Sequence, residues 1–327
     1  MKKLIPLLAC AALVAHLPLS AQEAKPAPAP GEIIAAAKAS EWVAIAPSDL
    51  LVMDLAPDAK AKPRRVVIQL MPPPFSQGWI GNMRKLAAAH WWDGTSVNRV
   101  QDNYVTQWGD ATEKKSLPDG LAVVPESEYV IDDLSFKPEV LWNFGATNLK
   151  SGDAKGRFRL PDPYAPAYAF QGGFPVGFVQ GELAEKRQNT YAPTHCYAMV
   201  GVGRNLSPDT GTGAELYTVI GHAPRHLDRN IALVGRVIEG IEHLSSLPRG
   251  TGALGFYETE AERVPILSMR MGNEAKDVAA FEYLSTESES FAAYADARAN
   301  RRDPFFIKPA GGADICNIPV PVRRKRK

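Results

Sequence analysis

Residues 92–110, WDGTSVNRVQDNYVTQWGD, are the stretch of sequence that decides the fold. Within it, residues 96–100 and 104–108 are short runs rich in apolar and β-branched residues, and each run predicts a strand. The Gln-Asp-Asn sequence between them is typical of a turn. The stretch therefore predicts two short strands joined by a turn, with Arg99 on the first and Gln107 on the second.

Further short strands are predicted on both sides of this stretch, together with few helices. Residues 77–90 and 239–247 have helical spacing, and residues 276–302 have helical character. The remaining strand candidates cover residues 51–55, 65–70, 196–202, 215–220, 232–238 and 264–271. Because strands and helices do not alternate, the pattern favours a closed antiparallel barrel with helical caps.

Two segments of the chain, in this order, resemble the cyclophilin family of peptidyl-prolyl cis-trans isomerases. The first is residues 92–110: an aromatic-Asp-Gly-Thr turn, a strand with an arginine, and then an aromatic residue and a glutamine before Gly-Asp. The second is residues 215–240, which contain a strand pair with a Leu-Asp turn between its strands. In addition, Asn82 lies where the first helix of the family carries an asparagine.

The resemblance covers residues 50–110 and 195–272 and implies a mainly β fold. The fold would be a closed antiparallel eight-stranded barrel capped by two helices, with a C-terminal helical extension. Residues 111–194 fall outside the resemblance. They are rich in Gly, Pro, aromatic and charged residues without sustained periodicity, which indicates a long insertion on the surface of the barrel.

The resemblance also implies which residues form the site. It places the catalytic arginine at Arg99 and the glutamine that grips the substrate backbone at Gln107. The substrate pocket would be lined by Tyr104, Val105, Leu216, Tyr217 and Leu227. The alternative for Arg99 is a surface salt bridge, and the alternative for each apolar residue is plain core packing.

An arginine suits this reaction for a physical reason. Rotation about a prolyl amide breaks its resonance and leaves a lone pair on the prolyl nitrogen. A guanidinium that donates to that nitrogen, or to the neighbouring carbonyl, binds the twisted amide better than either planar form. Arginine is always charged and presents a rigid fork of donors. The chemistry has no covalent step, and we expect neither a cofactor nor a metal.

Several positions depart from the family pattern. Glu215 replaces the glutamine that precedes a Phe-Phe pair, and the pair itself is Leu216-Tyr217. His226 falls at a tryptophan of eukaryotic members, and Ile231 falls at the histidine of the family's active site. The Met-Ala-Asn run that forms the floor of the groove is Met199-Val200-Gly201. These changes leave the substrate preference open.

Three histidines raise the question of a metal site. His222 and His226 are four residues apart, and His195 precedes Cys196. Pro224 interrupts any helix between the first two, so their spacing does not place them on one face. The sequence therefore does not favour a metal site.

The N-terminus predicts export. Residues 1–21 have two lysines, a mostly apolar run and small residues before Gln22, which is the layout of a secretory signal peptide; the alternative is a buried helix. The lysine pair is typical of bacteria, so we expect a periplasmic protein without a transmembrane segment. Residues 22–40 are a Pro/Ala-rich linker, extended and solvated over residues 22–32.

The remaining domain boundaries follow from the motifs. Residues 41–272 form the predicted cyclophilin-like domain, and residues 273–327 form an extension that ends in a basic tail.

The predicted export affects whether the cysteines are expected to be oxidised. Cys10 would leave with the signal peptide, and Cys196 and Cys316 would remain in an oxidising compartment. We hypothesise that they form a disulfide that ties the C-terminal segment to the core. The alternative is two separate buried thiols.

Charge narrows the class of partner. The 327 residues carry a net charge of +1, with 37 Lys+Arg and 36 Asp+Glu, so a nucleic-acid partner is not expected. The sequence thus predicts a peptidyl-prolyl isomerase that assists the folding of exported, proline-containing polypeptides. The alternative function is a non-catalytic cyclophilin-like module that binds peptides as a chaperone or scaffold.

Overall fold

A computed structural model of the chain describes residues 26–132, 164–165, 167–179 and 189–325. The predicted signal peptide, part of the insertion and the last two residues of the basic tail lie outside the described residues. The described elements in chain order are α1 (Pro30–Ala36), β1 (Trp42–Ile45), β2 (Leu50–Leu55), β3 (Arg64–Leu70), α2 (Gln77–Ala88), β4 (Ser96–Val100), β5 (Val105–Gly109), β6 (Ile131–Asp132), β7 (Ala167–Gln171), β8 (Phe174–Val179), β9 (Thr190–Pro193), β10 (Met199–Val202), β11 (Leu216–Val219), β12 (Leu233–Glu239), α3 (Glu242–Ser245), β13 (Val264–Met271), β14 (Phe281–Leu284), α4 (Glu289–Ala299) and β15 (Val322–Arg324).

Eight antiparallel strands close into a barrel in the order β10-β11-β5-β4-β13-β2-β3-β12. This confirms the predicted fold class. Helix α2 packs against β12 and β13, and α3 packs against β3. The buried face of α2 presents Trp79, Met83 and Leu86 to the barrel core. This spacing of three and four residues is the amphipathic pattern that predicted the helix.

Strands β2 and β3 are covered on both faces. Leu51 and Ile68 point into the barrel core, whereas Leu50 and Val67 pack outward against Phe281 and its neighbours. Successive side chains of a strand point to opposite faces. Burial on both faces therefore explains why these two strands are nearly continuous apolar runs.

The outer cover of β2 and β3 is a sheet in the order β1-β14-β15, with α1 and α4 packed against each other beside it. Two predictions are corrected here. Residues 281–284 lie within the predicted helix but form a strand, because their aromatic residues pair with β1 from far along the chain. Residues 30–36 lie within the predicted linker but form α1, because Ile33 and Ile34 pack against the hydrophobic cluster that includes Phe291 of α4.

The described part of the insertion also contains strands, in a sheet of order β6-β9-β8-β7. Phe174 and Val176 of this sheet join the main hydrophobic core. The buried Arg236 of β12 anchors the sheet, because it donates to Gln69 Oε1 at 2.8 Å and to the Gly173 carbonyl at 2.7 Å. Burial lowers the pKa of Arg236 to about 10. The surface insertion that was predicted thus shares its core with the barrel.

A disulfide joins Cys196 to Cys316, with 5.0 Å between the Cα atoms and a sequence separation of 120. It connects the segment that leads into β10 with the C-terminal region. Among the described residues, no helix is both long enough and apolar enough to cross a membrane.

We expect the double variant Cys196→Ser/Cys316→Ser to have a free energy of unfolding about 2–4 kcal/mol lower than wild type, because the cross-link restricts the unfolded chain. Denaturant unfolding with and without a reducing agent measures this. Reduction should lower the midpoint of the wild type and leave that of the variant unchanged. Equal midpoints in all four samples, or two free thiols in the oxidised wild type, would contradict the prediction.

Candidate functional site

Arg99, Gln107 and Tyr217 form a row across three neighbouring strands. In the register of the barrel, Arg99 on β4 pairs with Gln107 on β5, and Gln107 pairs with Tyr217 on β11. The β4–β5 register shifts between Val97 and Arg99. This irregularity is a β-bulge, which changes the face to which a side chain points. As a result Val97 lies in the core while Arg99 faces the same groove as Gln107.

The guanidinium of Arg99 is held from several sides. Its Nη1 donates to Gln107 Oε1 at 3.2 Å and its Nε to the Leu254 carbonyl at 2.8 Å, and Nη2 donates to Gln101 Oε1. The rings of Tyr104 and Phe256 lie 5.7 and 5.1 Å from its central carbon. Burial lowers the pKa of Arg99 from its usual value. The charge is thus oriented by neutral acceptors and aromatic faces, and among the described residues Arg99 does not form the salt bridge that was the alternative.

Beside Arg99 lies a groove of about 660 Å³, and four of the predicted pocket residues line it: Tyr104, Val105, Tyr217 and Leu227. Ile231 completes its apolar wall. The prediction that Leu216 lines the pocket must be corrected. It is fully buried in the barrel core opposite Trp108, because adjacent residues of β11 point to opposite faces.

Tyr217 is anchored by a buried polar chain. His195 Nδ1 lies 2.9 Å from Asp228 Oδ1, and His195 Nε2 lies 2.8 Å from the Tyr217 hydroxyl. Burial lowers the pKa of His195, so its ring is neutral. Because a carboxylate can only accept, Nδ1 carries the proton and Nε2 accepts from Tyr217. The carboxylate of Asp228 also accepts from Arg225 Nε at 2.6 Å.

The tyrosine and the groove floor are matched to each other. A Cβ at Gly201 would lie 2.3 Å from the Tyr217 hydroxyl, so glycine at this position leaves the space that the Tyr217 side chain occupies. Burial raises the pKa of Tyr217 well above its usual value. The hydroxyl therefore stays protonated and acts as a structural donor.

The three histidines do not converge. His195 is in the buried chain, whereas the ring of His226 stacks on Tyr104 with 6.4 Å between centroids. His222 is exposed and donates its backbone N–H to Asn103 Oδ1. In the described part of the chain, no group of three or more His, Cys, Asp or Glu side chains is arranged to hold a metal.

Sequence reasoning missed the loop that covers Arg99. Leu254 and Phe256 approach β4 from a segment about 155 residues away, and Phe256 forms an isolated bridge with Arg99. A Cβ at Gly255 would lie 2.6 Å from the Cα of Gln101, so this turn passes close to the backbone of the β4–β5 connection. No local sequence pattern indicated that this turn would contact Arg99.

Comparisons with known proteins agree with the fold and identify the family. The sequence model of the cyclophilin type peptidyl-prolyl cis-trans isomerase family matches residues 75–271. The fold is similar to that of the cyclophilin AquaCyp293 from Hirschia baltica, with 21% identity, 88% of this chain and 95% of that chain covered, and a TM-score of 0.61.

A second structural match is the Cryptosporidium parvum cyclophilin type peptidyl-prolyl cis-trans isomerase solved in the presence of the dipeptide Ala-Pro. It has 10% identity, 67% of this chain and 98% of that chain covered, and a TM-score of 0.36, which is too low to support a structural argument. The comparison with curated proteins found no match.

We expect Tyr217→Phe to lower the free energy of unfolding by about 1–3 kcal/mol, because it leaves the buried His195 Nε2 without a donor. Tyr104→Phe is the matched control: it removes the same hydroxyl from a half-buried ring in the groove and should cost less than about 0.5 kcal/mol. Urea unfolding of both variants tests this. Equal losses would refute the structural role of the His195–Tyr217 hydrogen bond.

Proposed function

The chain belongs to the cyclophilin-type peptidyl-prolyl cis-trans isomerases, and from this membership we propose how it acts on its substrate. The proposal assigns the catalytic charge to Arg99, the grip on the substrate backbone to Gln107 and the proline pocket to the apolar wall of the groove. Its substrates are proline-containing polypeptides.

The proposed mechanism follows from the electronics of the amide. The barrier to rotation is roughly 18–20 kcal/mol because resonance gives the C–N bond partial double-bond character. In the twisted amide the prolyl nitrogen gains a lone pair that can accept a hydrogen bond. Arg99 donates to this nitrogen, or to the neighbouring carbonyl, and so binds the twisted amide more tightly than the planar ones. Rotation forms and breaks no covalent bond.

The groove supplies the second requirement, which is to hold the proline while the rest of the peptide turns. Val105, Tyr217, Leu227 and Ile231 give the apolar surface for the ring. Gln107 lies between this surface and Arg99, so an amide hydrogen bond from Gln107 to the substrate backbone would place the prolyl bond beside the guanidinium.

The observation that carries the proposal is the position of the guanidinium. Arg99 is fixed at the edge of an apolar pocket by the Leu254 carbonyl and Gln107, between two aromatic rings. Its orientation therefore exists before substrate binds, and preorganised charge costs no rearrangement in the transition state.

We also propose that the protein is exported to the periplasm, where it assists the proline-limited folding of exported polypeptides. Support comes from the signal-like residues 1–21 and from the Cys196–Cys316 disulfide, since disulfides persist in oxidising compartments. The reaction requires no ATP, which suits a compartment outside the cytoplasm.

We expect Arg99→Ala to lower kcat/KM for proline peptides about 10²–10³-fold, the typical loss when one preorganised donor is removed from an active site. A protease-coupled or NMR-exchange isomerase assay measures this. Arg84→Ala is the matched control, because Arg84 is a partly exposed arginine on α2 that pairs with Asp49 and does not line the groove. Equal rates for wild type and Arg99→Ala would overturn the mechanism.

The same variants test the alternative of a peptide-binding chaperone. If Arg99→Ala and wild type suppress aggregation of an unfolded client equally while neither accelerates isomerisation, binding and not catalysis is the function of the groove.

Expression of the full chain in a Gram-negative bacterium tests export. We expect the mature protein in the periplasmic fraction with Gln22 as its first residue, because Ser20-Ala21 are the small residues that precede signal cleavage. Cell fractionation and N-terminal sequencing measure this. Deletion of residues 4–19 should retain the protein in the cytoplasm, and the same location for both forms would refute export by this segment.

A further inference from the structure

Within its described residues, the C-terminal extension joins the main hydrophobic core at one short segment, residues 314–316. Ile315 is 1% exposed and packs in that core, whereas α4 and β14 contribute to separate clusters. Cys316 forms the disulfide with Cys196. Asp314 orders the segment, because its carboxylate accepts a hydrogen bond from the Cys316 backbone N–H at 2.8 Å. The extension is thus fixed by packing and by a covalent bond at the same point.

The same segment contacts the buried polar chain that anchors Tyr217. Asp314 Oδ2 lies 3.7 Å from Arg225 Nη1, and Arg225 donates to the Asp228 carboxylate. Cys316 Sγ lies 4.0 Å from the His195 carbonyl oxygen, and its disulfide partner is the residue directly after His195. Both ends of the chain formed by His195, Asp228 and Arg225 are therefore attached to the C-terminal extension.

This chain fixes most of the apolar wall that we propose as the proline pocket. The Tyr217 hydroxyl donates to His195 Nε2 at 2.8 Å. Leu227 belongs to the short 3₁₀ turn Arg225–Leu227, between the two charged members of the chain. The backbone N–H of Ile231 donates to the Leu227 carbonyl at 3.2 Å. Three apolar side chains of the wall thus depend on groups that the extension holds from behind.

We infer that residues 314–316 are a positioning element of the proline pocket: while Cys316 is bonded to Cys196 they hold the buried chain in place, and reduction of the disulfide weakens the binding of proline peptides. The inference rests on the proposed function, since it takes the apolar wall as the pocket. Reduction by a dithiol breaks the S–S bond, leaves two cysteine thiols and converts the dithiol into a disulfide.

The effect should fall on binding and leave the rotation of the bound amide unchanged. Arg99 is held by Gln107 and by the Leu254 carbonyl, and neither of these belongs to the buried chain. The wall contacts the proline ring in the planar and the twisted states alike. Loss of an interaction that is equal in both states raises KM and leaves kcat unchanged.

The first test compares four samples: wild type and Cys196→Ser/Cys316→Ser, each with and without a dithiol. NMR titration gives the Kd of a proline peptide, and NMR exchange gives the rotation rate of the bound peptide. We expect reduced wild type and the double variant to have a Kd roughly 2- to 10-fold above that of oxidised wild type, the range that one hydrogen bond contributes. The rotation rate should stay the same, and the double variant should not respond to the dithiol.

A second variant keeps the disulfide and so separates pocket support from stability. Asp314→Asn removes the charge that faces Arg225 but keeps an oxygen that can cap the turn. It should raise the Kd roughly 2- to 5-fold, since the ion pair is partly exposed. Asp296→Asn is the matched control, because Asp296 pairs with Arg302 in the same extension and does not contact the buried chain. Its Kd should equal that of wild type.

The ¹⁵N signal of His195 Nε2 gives a readout that does not depend on peptide binding. Tyr217→Phe supplies the reference value for this nitrogen without a hydrogen bond. Reduction of wild type should shift the signal toward that reference, because the Tyr217 hydrogen bond is weakened.

An unchanged Kd or an unchanged Nε2 signal in folded, reduced wild type would overturn the inference. An equal rise of the Kd in Asp296→Asn and Asp314→Asn would overturn it as well. Absence of peptide binding and of isomerase activity in oxidised wild type would instead refute the proposed function, and the Nε2 signal would still decide whether the segment positions Tyr217.

Discussion

A single β-bulge in β4 determines on which face of the barrel Arg99, the proposed catalytic residue, lies. In a regular strand Arg99 and Val97 would point to the same side, and Val97 belongs to the core. The shift in register between them instead pairs Arg99 with Gln107, and Gln107 with Tyr217. The same bulge brings Asn98 to the groove. The contact between Arg99 and Gln107 therefore depends on this one additional residue in the strand.

Closure of the barrel makes that arrangement rigid. Each of the eight strands hydrogen-bonds to two neighbours, so no edge strand can slip. The parts of the chain outside the barrel are attached to it by a buried hydrogen bond and by a disulfide. Arg236 binds the insertion sheet through the Gly173 carbonyl, and the Cys196–Cys316 disulfide ties down the C-terminal region next to His195. The additional layers thus reach the structural support of the pocket, and Ala111, Glu113, Lys115 and Leu117 of the insertion line the groove itself.

The local sequence pattern predicted the barrel because each strand is indicated by its own run of apolar and β-branched residues and by the turn residues beside it. The same reasoning was wrong for residues 281–284, whose partner strand β1 is more than 200 residues away, and for the short helix at residues 30–36. Leu216 was misassigned because the motif indicates which residues are adjacent in sequence, whereas alternation in β11 separates Leu216 from Tyr217 by the thickness of the sheet.

The sequence by itself determined the family, the eight strands, and the identities of Arg99, Gln107 and most of the pocket wall, because these are carried by contiguous motifs. Only the tertiary structure decided what holds them. The Leu254 carbonyl and Phe256 reach Arg99 from a distant loop, and His195 reaches Tyr217 through the interior. Such contacts depend on register and chain closure, and neither of these is a property of any short segment.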